Sequence, residues 1–473
     1  MKHESNNLTY RGRRTFIFLC MGLAAITLVW QAVCLQVLDK EFLLSQGEAR
    51  HLRVVSLPAH RGVMQDRNGE PLAVSTQVES VWINPQELGG EQQRIPELAK
   101  LLSLDNAKVK RMLASRADRE FVYLKRHVSP ALAEQVSALK TPGVYLQREY
   151  RRYYPVGEVS AQIVGFTNID DVGQEGLELA YEEWLGGEPG AKRVIKDGRR
   201  HIIEDVESIS RPHPGKDLAL SIDRRIQYLA YRELKAVMEK HNARSASAVV
   251  LDVKSGEVLA MVNQPSFNPN NRQQLRSSDM RNRAATDVFE PGSTMKPFIV
   301  AAALQGGRFY PETPVSTSPG WFRVGVNTVR DVHDYGQLDV TGVLRKSSNV
   351  GISKIALSLP AEDIWTLLSD IGFGAQTYSG FPGEATGLLS HHGGWNQIET
   401  ATLAYGYGVS VTALQLTQAY AVLATDGIKR SVTFLHDGDV SEERRVMPAD
   451  VARQVRAMLE EAFGPEGTAP QAR

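Results

Sequence analysis

Cysteine is nearly missing from this chain: 473 residues hold two, Cys20 and Cys34, and both lie inside one apolar run near the N-terminus. Everything after that run is free of thiols, which excludes a cysteine nucleophile and a disulfide framework there. No Cys/His group has the spacing of a zinc site. His391-His392 are adjacent, and neighbours on a strand or loop rarely chelate one ion, so a solvated loop pair is expected. Excess charge is missing as well, with 54 Lys and Arg against 54 Asp and Glu. With no basic run either, the electrostatic case for a nucleic-acid partner fails. No internal repeat or low-complexity tract interrupts the chain.

One long hydrophobic run is present. Thr15–Leu38 carries no charge and is long enough to span a bilayer. Arg11, Arg13 and Arg14 precede it, which by the positive-inside rule keeps residues 1–14 in the cytoplasm and exports the rest. A cleaved signal peptide fits less well, because the run is too long and no small-x-small cleavage site follows it. Residues 15–38 are therefore expected to be a signal-anchor.

Two further regions follow. Residues 50–216 read as β-rich with interspersed helices. Asp66-Arg67-Asn68-Gly69 between Val63-Met64 and Leu72–Val74 predicts a hairpin with a type I′ turn at Asn68-Gly69. Glu91–Ala114 and Pro130–Lys140 have helical spacing, and Arg211–Gly215 reads as an extended junction. From 217 to 473 the texture changes. Leu218–Ile222 predicts a short strand, Arg225–Lys240 an amphipathic helix, Ser247–Val253 and Val258–Val262 paired strands, and Ala413–Ala424 an apolar helix. This order suggests an α/β (α+β) domain with helices packed on a largely antiparallel sheet.

Glu290-Pro291-Gly292-Ser293-Thr294-Met295-Lys296-Pro297 precedes the apolar run Phe298–Leu304. That places a Ser-x-x-Lys pair at a helix start, where residues i and i+3 share a face and free N–H groups favour an anion. A serine needs a base to become nucleophilic, and a buried lysine with a lowered pKa can be that base. The pattern is short enough to recur by chance, and Ser137-Ala138-Leu139-Lys140 also matches. That copy closes a helix-like stretch ahead of Pro142-Gly143, at the unfavourable end of the helix dipole.

Lys346-Ser347-Ser348-Asn349-Val350-Gly351 supplies a second constellation. Ser-x-Asn is weak alone, since Ser5-Asn6-Asn7 and Ser266-Phe267-Asn268 match too. Beside Ser293 and Lys296 it makes chemical sense. Acyl transfer from an amide needs a proton for the leaving amine and a group to position the substrate; Ser347, relaying from Lys296, and Asn349 fit those tasks.

Ser293-Thr294-Met295-Lys296 and Ser347-Ser348-Asn349, in this order, resemble the first two active-site motifs of the class B penicillin-binding proteins. Tyr405–Thr412 resembles the loop and helix start that follow them. Arg61-Gly62, Asp66–Ala73, Arg152–Pro155, Gly165–Asn168 and Gly173–Glu178 resemble the pedestal domain of that class. Within it, the pattern is most similar to the septal, FtsI-type transpeptidases of Gram-negative cell division. The resemblance implies a membrane-anchored, periplasmic D,D-transpeptidase that acts on D-Ala-D-Ala stem peptides and is acylated by β-lactams. It also implies divisome partners including a membrane glycosyltransferase, and neither metal nor organic cofactor. The pedestal residues Asp66, Arg67, Arg152 and Glu178 are expected to hold turns and domain contacts rather than perform chemistry.

One motif departs from the pattern. The family carries a Lys-Thr/Ser-Gly strand after the first two motifs, whereas Lys254-Ser255-Gly256 precedes Ser293 and reads as a turn between strands. The tail Gly464–Pro470 resembles the segment leading toward the true third motif, so the resemblance implies a C-terminally incomplete transpeptidase domain with little activity as it stands. Two other readings share these residues: a catalytically silent division scaffold, and a serine β-lactamase or β-lactam sensor. The long pedestal speaks against the last.

Overall fold

The computed structural model describes residues 7–38, 52–88, 91–196, 202–273, 275–436, 438 and 443–472. Helix Asn7–Val33, prolonged by a π-helical turn at Cys34–Leu38, contains the apolar span Gly12–Gln36. Its 25 residues rise about 1.5 Å each, enough to cross a hydrocarbon core. Phe16, Ile26 and Trp30 on it are exposed, which suits lipid and not water.

The region that follows is built on one long strand, Pro71–Ile83. It pairs antiparallel with Val144–Tyr153 along ten residue positions, and with Val122–Val128 and Met64–Gln65. Strand Leu218–Ala219 joins parallel to Met64–Gln65 and ties the pedestal to the second domain. Helices Ile95–Leu101, Asn106–Ala114 and Pro130–Ala138 cover one face of this sheet, burying Val81, Ile83, Leu98, Val109 and Val136. A separate three-stranded antiparallel sheet combines Leu52–Leu57, Gly190–Lys196 and Ile202–Ser210.

Two local expectations are corrected. The predicted type I′ turn needs two left-handed residues, but of the loop only Gly69 has positive φ, at 82°. The Asp66 carboxylate accepts the Asn68 and Glu70 N–H groups, and Gly69 closes on the Asp66 carbonyl, giving a glycine-bulged turn with shifted register. The stretch Glu91–Ala114 is likewise not one helix. It breaks at Ser103, which is left-handed at φ 55°, and restarts where the Asp105 side chain caps the Lys108 N–H.

Within the pedestal lies a buried ionic cluster. Glu178, with no exposed surface, takes Arg61 Nε at 2.7 Å and Arg152 Nε at 2.6 Å, while Arg61 also reaches Glu182 at 2.7 Å. Asp66 Oδ2 accepts the Arg224 N–H across the junction, and Arg67 pairs with Glu257. The four pedestal residues thus hold turns and contacts, as expected from their sequence context.

In the second domain helix Arg224–His241 lies on the antiparallel hairpin Ala246–Leu251 and Val258–Gln264. The side chain of Gln227 on that helix bonds the Met261 backbone on both its N–H and C=O. Beyond the hairpin the domain is mainly helical. Helix Lys296–Gln305 is buried from Lys296 through Leu304 and packs against Asn349–Leu357, Ala361–Ile371 and Ala449–Glu460. An apolar sequence on every face is what a central helix requires. Helix Ala413–Ala424 begins with a reciprocal capping box between Thr412 and Gln415.

Candidate active site

Ser293 lies in a 3-10 turn, Gly292–Met295, that feeds directly into helix Lys296–Gln305. Gly292 enters the turn with φ 60°, and Pro297 occupies the first helical turn, where its missing N–H has no partner to lose. Side chains at i and i+3 of a 3-10 turn eclipse one another, so Ser293 and Lys296 fall on one side. Ser293 is exposed and Lys296 is 2% exposed.

Burial pushes the Lys296 amine down to about 8, against a smaller upward pull from the Asp331 carboxylate. Its Nζ donates to the Ser347 carbonyl at 2.5 Å, to Ser347 Oγ at 2.9 Å and to Asn349 Oδ1 at 2.8 Å. These bonds use all three ammonium protons. Among the described residues no hydrogen bond joins the Ser293 hydroxyl to Lys296. The two constellations found in the sequence are therefore one site, with the amine bonded to the second motif and the exposed serine one turn away.

Ser347 reaches Lys296 with both backbone and side-chain oxygens because its φ is +54°. A non-glycine residue in the left-handed region is strained, and the neighbouring contacts hold it there. Ser348 follows as the N-cap of helix Asn349–Leu357, accepting the Gly351 N–H at 2.8 Å. The Asp331 carboxylate closes the same helix end, taking Ser348 Oγ and the Asn349 N–H at 2.5 Å each and the Val350 N–H at 3.0 Å. An anion is favoured there by the free N–H groups and the helix dipole.

Asp331 was not singled out by the sequence. It follows a hairpin, Trp321–Val324 with Asn327–Arg330, and belongs to no local pattern shared with Ser347. Tyr405–Gly408 packs against the turn before Ser293: the Gly292 N–H donates to the Gly406 carbonyl, and the Gly408 N–H to Glu290 Oε1 at 3.0 Å.

The weaker sequence matches lie elsewhere. Ser137 is exposed in the last turn of helix Pro130–Ala138, in the pedestal. Lys254-Ser255-Gly256 is a turn whose Lys254 and Ser255 N–H groups bond Asp252 Oδ1. Ser266 Oγ donates to the Glu158 carbonyl and to Gln162 Oε1 across the domain junction. Ser5 and Asn6 fall outside the described residues. The His391 and His392 rings lie 4.3 Å apart and both pack tilted against Trp365, and no metal-binding cluster occurs among the described residues. The tail folds back so that the Glu466 carbonyl accepts Lys346 Nζ at 2.8 Å, next to Ser347.

Comparison with known proteins identifies the family. Residues 246–472 match the model of the penicillin binding protein transpeptidase domain, and residues 56–220 that of the penicillin-binding protein dimerisation domain. A probable peptidoglycan D,D-transpeptidase PbpC of Pseudomonas aeruginosa is 43% identical over 452 residues, 95% of this chain and 80% of the relative. The peptidoglycan D,D-transpeptidase FtsI of Escherichia coli K12 is 41% identical over 95% of this chain and 76% of its own length. Among solved structures, penicillin binding protein 3 of Mycobacterium tuberculosis, complexed with aztreonam, superposes with a TM-score of 0.67 at 26% identity, covering 89% of this chain and 80% of that one. A peptidoglycan synthetase from Bifidobacterium adolescentis gives 0.68 at 26% identity, covering 87% and 82%. With a dimerisation domain ahead of a transpeptidase domain, and relatives similar along nearly its whole length, this chain belongs to the class B penicillin-binding proteins.

Proposed function

We propose that this protein is a peptidoglycan D,D-transpeptidase of the septal, FtsI type. Its bulk, a pedestal over 50–216 and a transpeptidase domain over 217–473, lies in the periplasm of a Gram-negative cell. The helix through Gly12–Gln36 anchors it in the inner membrane, and Arg13 and Arg14 keep its N-terminus cytoplasmic. Its partners are a membrane glycosyltransferase and other division proteins.

The reading rests on one observation above all. A nearly buried lysine, its amine lowered to about 8, is bonded to both Ser347 and Asn349 one turn from an exposed serine. At pH 7 roughly a tenth of such amines are neutral, against fewer than about one in a thousand for an unshifted lysine. In the neutral form Lys296 accepts the Ser293 proton as Oγ attacks the penultimate D-Ala carbonyl of a donor stem. The Ser347 hydroxyl, able both to donate and to accept, passes that proton to the departing D-Ala amine. Asn349 orients the peptide amide. The resulting ester is then resolved by an amine of a neighbouring stem, forming the crosslink. β-Lactams acylate Ser293 because their strained amide imitates the D-Ala-D-Ala terminus. None of these steps draws on a metal or organic cofactor.

Labelling with fluorescent penicillin tests the assignment. Ser293→Ala abolishes covalent labelling, while Ser137→Ala retains it. Label that survives in Ser293→Ala overturns the nucleophile, and label lost within seconds from wild type points to a β-lactamase.

A further inference from the structure

Glu290 lies three residues before Ser293, and its carboxylate is exposed. Even a fully extended chain would separate the two by at most about 11 Å, and the turned backbone at Gly292 shortens that. Among the described residues the carboxylate has one hydrogen-bond partner: Oε1 accepts the Gly408 N–H at 3.0 Å. No ion pair engages it among the described residues. Beside it, Tyr407 and Gly408 form part of the wall of a cavity of about 200 Å³, with Trp395, His391, Glu399 and Thr402. That volume is below the usual range for a whole small ligand, and suits a side chain or short stretch of peptide.

Resting on the transpeptidase reading, we infer that Glu290 and the cavity beside Tyr407 form the acceptor subsite, which takes a peptide bearing a primary ammonium. Two substrates meet at Ser293, and their charges differ. The donor ends in a carboxylate, which an exposed glutamate repels. The acceptor amine arrives protonated, since an unperturbed alkyl amine has a pKa near 10.4, and the same glutamate attracts it. The Lys296 ammonium is already committed to Ser347 and Asn349, so it cannot itself dock an incoming peptide. Tyr407, exposed and edge-on to Tyr405 at 5.6 Å between ring centres, gives the peptide body an apolar wall.

The transfer then balances. The docked ammonium releases one proton to water. Its nitrogen lone pair attacks the acyl-enzyme carbonyl, the C–N bond forms, and the bond from that carbon to Ser293 Oγ breaks. The second nitrogen proton passes through Lys296 to the departing Oγ.

The test uses the full-length protein in detergent, an acyl-D-Ala thioester as donor and Nα-acetyl-lysinamide as the amine. The ratio of aminolysis to hydrolysis of the acyl-enzyme is read by mass spectrometry. Glu290→Gln should raise the amine concentration needed for half-maximal aminolysis about tenfold, the scale of losing one charge-assisted contact. Glu290→Asp should restore part of it, and added salt should weaken aminolysis in wild type more than in Glu290→Gln. Tyr407→Ala should raise the same half-saturation. An unchanged ratio in Glu290→Gln overturns the subsite. So does an equal fall in penicillin labelling and aminolysis, which would make Glu290 a support of the turn. A wild-type protein that forms no acyl-enzyme overturns the transpeptidase reading itself.

Discussion

Asp331 accepts the backbone N–H of Asn349 at 2.5 Å, and through that bond fixes the residue that holds Lys296. The same carboxylate bonds Ser348 Oγ and the Val350 N–H, so one side chain sets the start of helix Asn349–Leu357. Ser347, strained at φ +54°, is thereby clamped between Asp331's partner on one side and the Lys296 amine on the other. The acidic residue works on Lys296 in two ways, by geometry through Asn349 and by charge.

Asp331→Asn separates these effects. The amide retains one accepting oxygen but loses its charge at the helix N-terminus, at a cost of about 1 kcal/mol in stability, seen as a lower Tm. Asp331 pulls the Lys296 pKa upward, so its removal lowers the pKa further below about 8. The pH midpoint of penicillin acylation should therefore move to lower pH than in wild type. A midpoint that stays put, or rises, would refute the electrostatic link.

With the neutral Lys296 amine proposed as the base, acylation in wild type should increase as pH rises through about 8, the value that burial sets. Lys296→Ala should slow acylation by about 10²–10⁴-fold, the usual loss for a positioned general base, and flatten the pH profile in that range. Lys296→Arg should do no better, as a guanidinium stays protonated. Stopped-flow acylation rates from pH 6 to pH 9 decide this; a Lys296→Ala rate near wild type would place the base elsewhere.

Local chemistry explains which parts of the site were legible in the sequence. Ser293 and Lys296 are separated by one helical step, with Gly292 and Pro297 marking the turn, so spacing alone suggests their shared side. Helix Ala413–Ala424 was legible because its residues form one strongly apolar run. Asp331 was not, because its bonds to Ser348, Asn349 and Val350 are made across the strand Gln337–Asp339 and the helix Val340–Arg345. The break at Ser103 escaped periodicity for a related reason: Ile95 and Ala99 before it and Val109 and Leu113 after it face one core, and only the Asp105 cap and a left-handed residue divide the helices. Interactions distant in sequence leave no period to read.

Glu178→Ala should be more damaging than any single exposed change in the pedestal. It removes the shared partner of Arg61 and Arg152 while both guanidiniums stay buried. Leaving buried charge uncompensated costs about 3–5 kcal/mol. The expected result is a much lower Tm, with proteolysis beginning in the pedestal while Ser293 in the surviving folded fraction still takes up penicillin. A variant that melts within a degree or two of wild type would mean that Glu182 and solvent replace the lost carboxylate.

Gly406→Ala should damage the turn that carries Ser293 from a distance. Gly406 has φ +87°, where an alanine costs about 1–2 kcal/mol by backbone strain alone. An added Cβ would also sit 2.2 Å from the Gly292 carbonyl oxygen and 2.3 Å from its nitrogen, both backbone atoms. Relief requires Gly292 or Tyr405–Tyr407 to move, and Gly292 opens the turn that presents Ser293. Penicillin acylation should then fall by at least about tenfold while the pedestal stays folded, since the atoms nearest that Cβ all belong to Gly292. Gly408→Ala is the control. Its glycine is also left-handed, at φ 76°, but an added Cβ there meets nothing within 4 Å. Strain without the clash should therefore leave acylation closer to wild type than in Gly406→Ala. Equal loss in the two variants would assign the effect to loop strain and remove the close approach of Gly406 to Gly292 as the reason Ser293 is held in place.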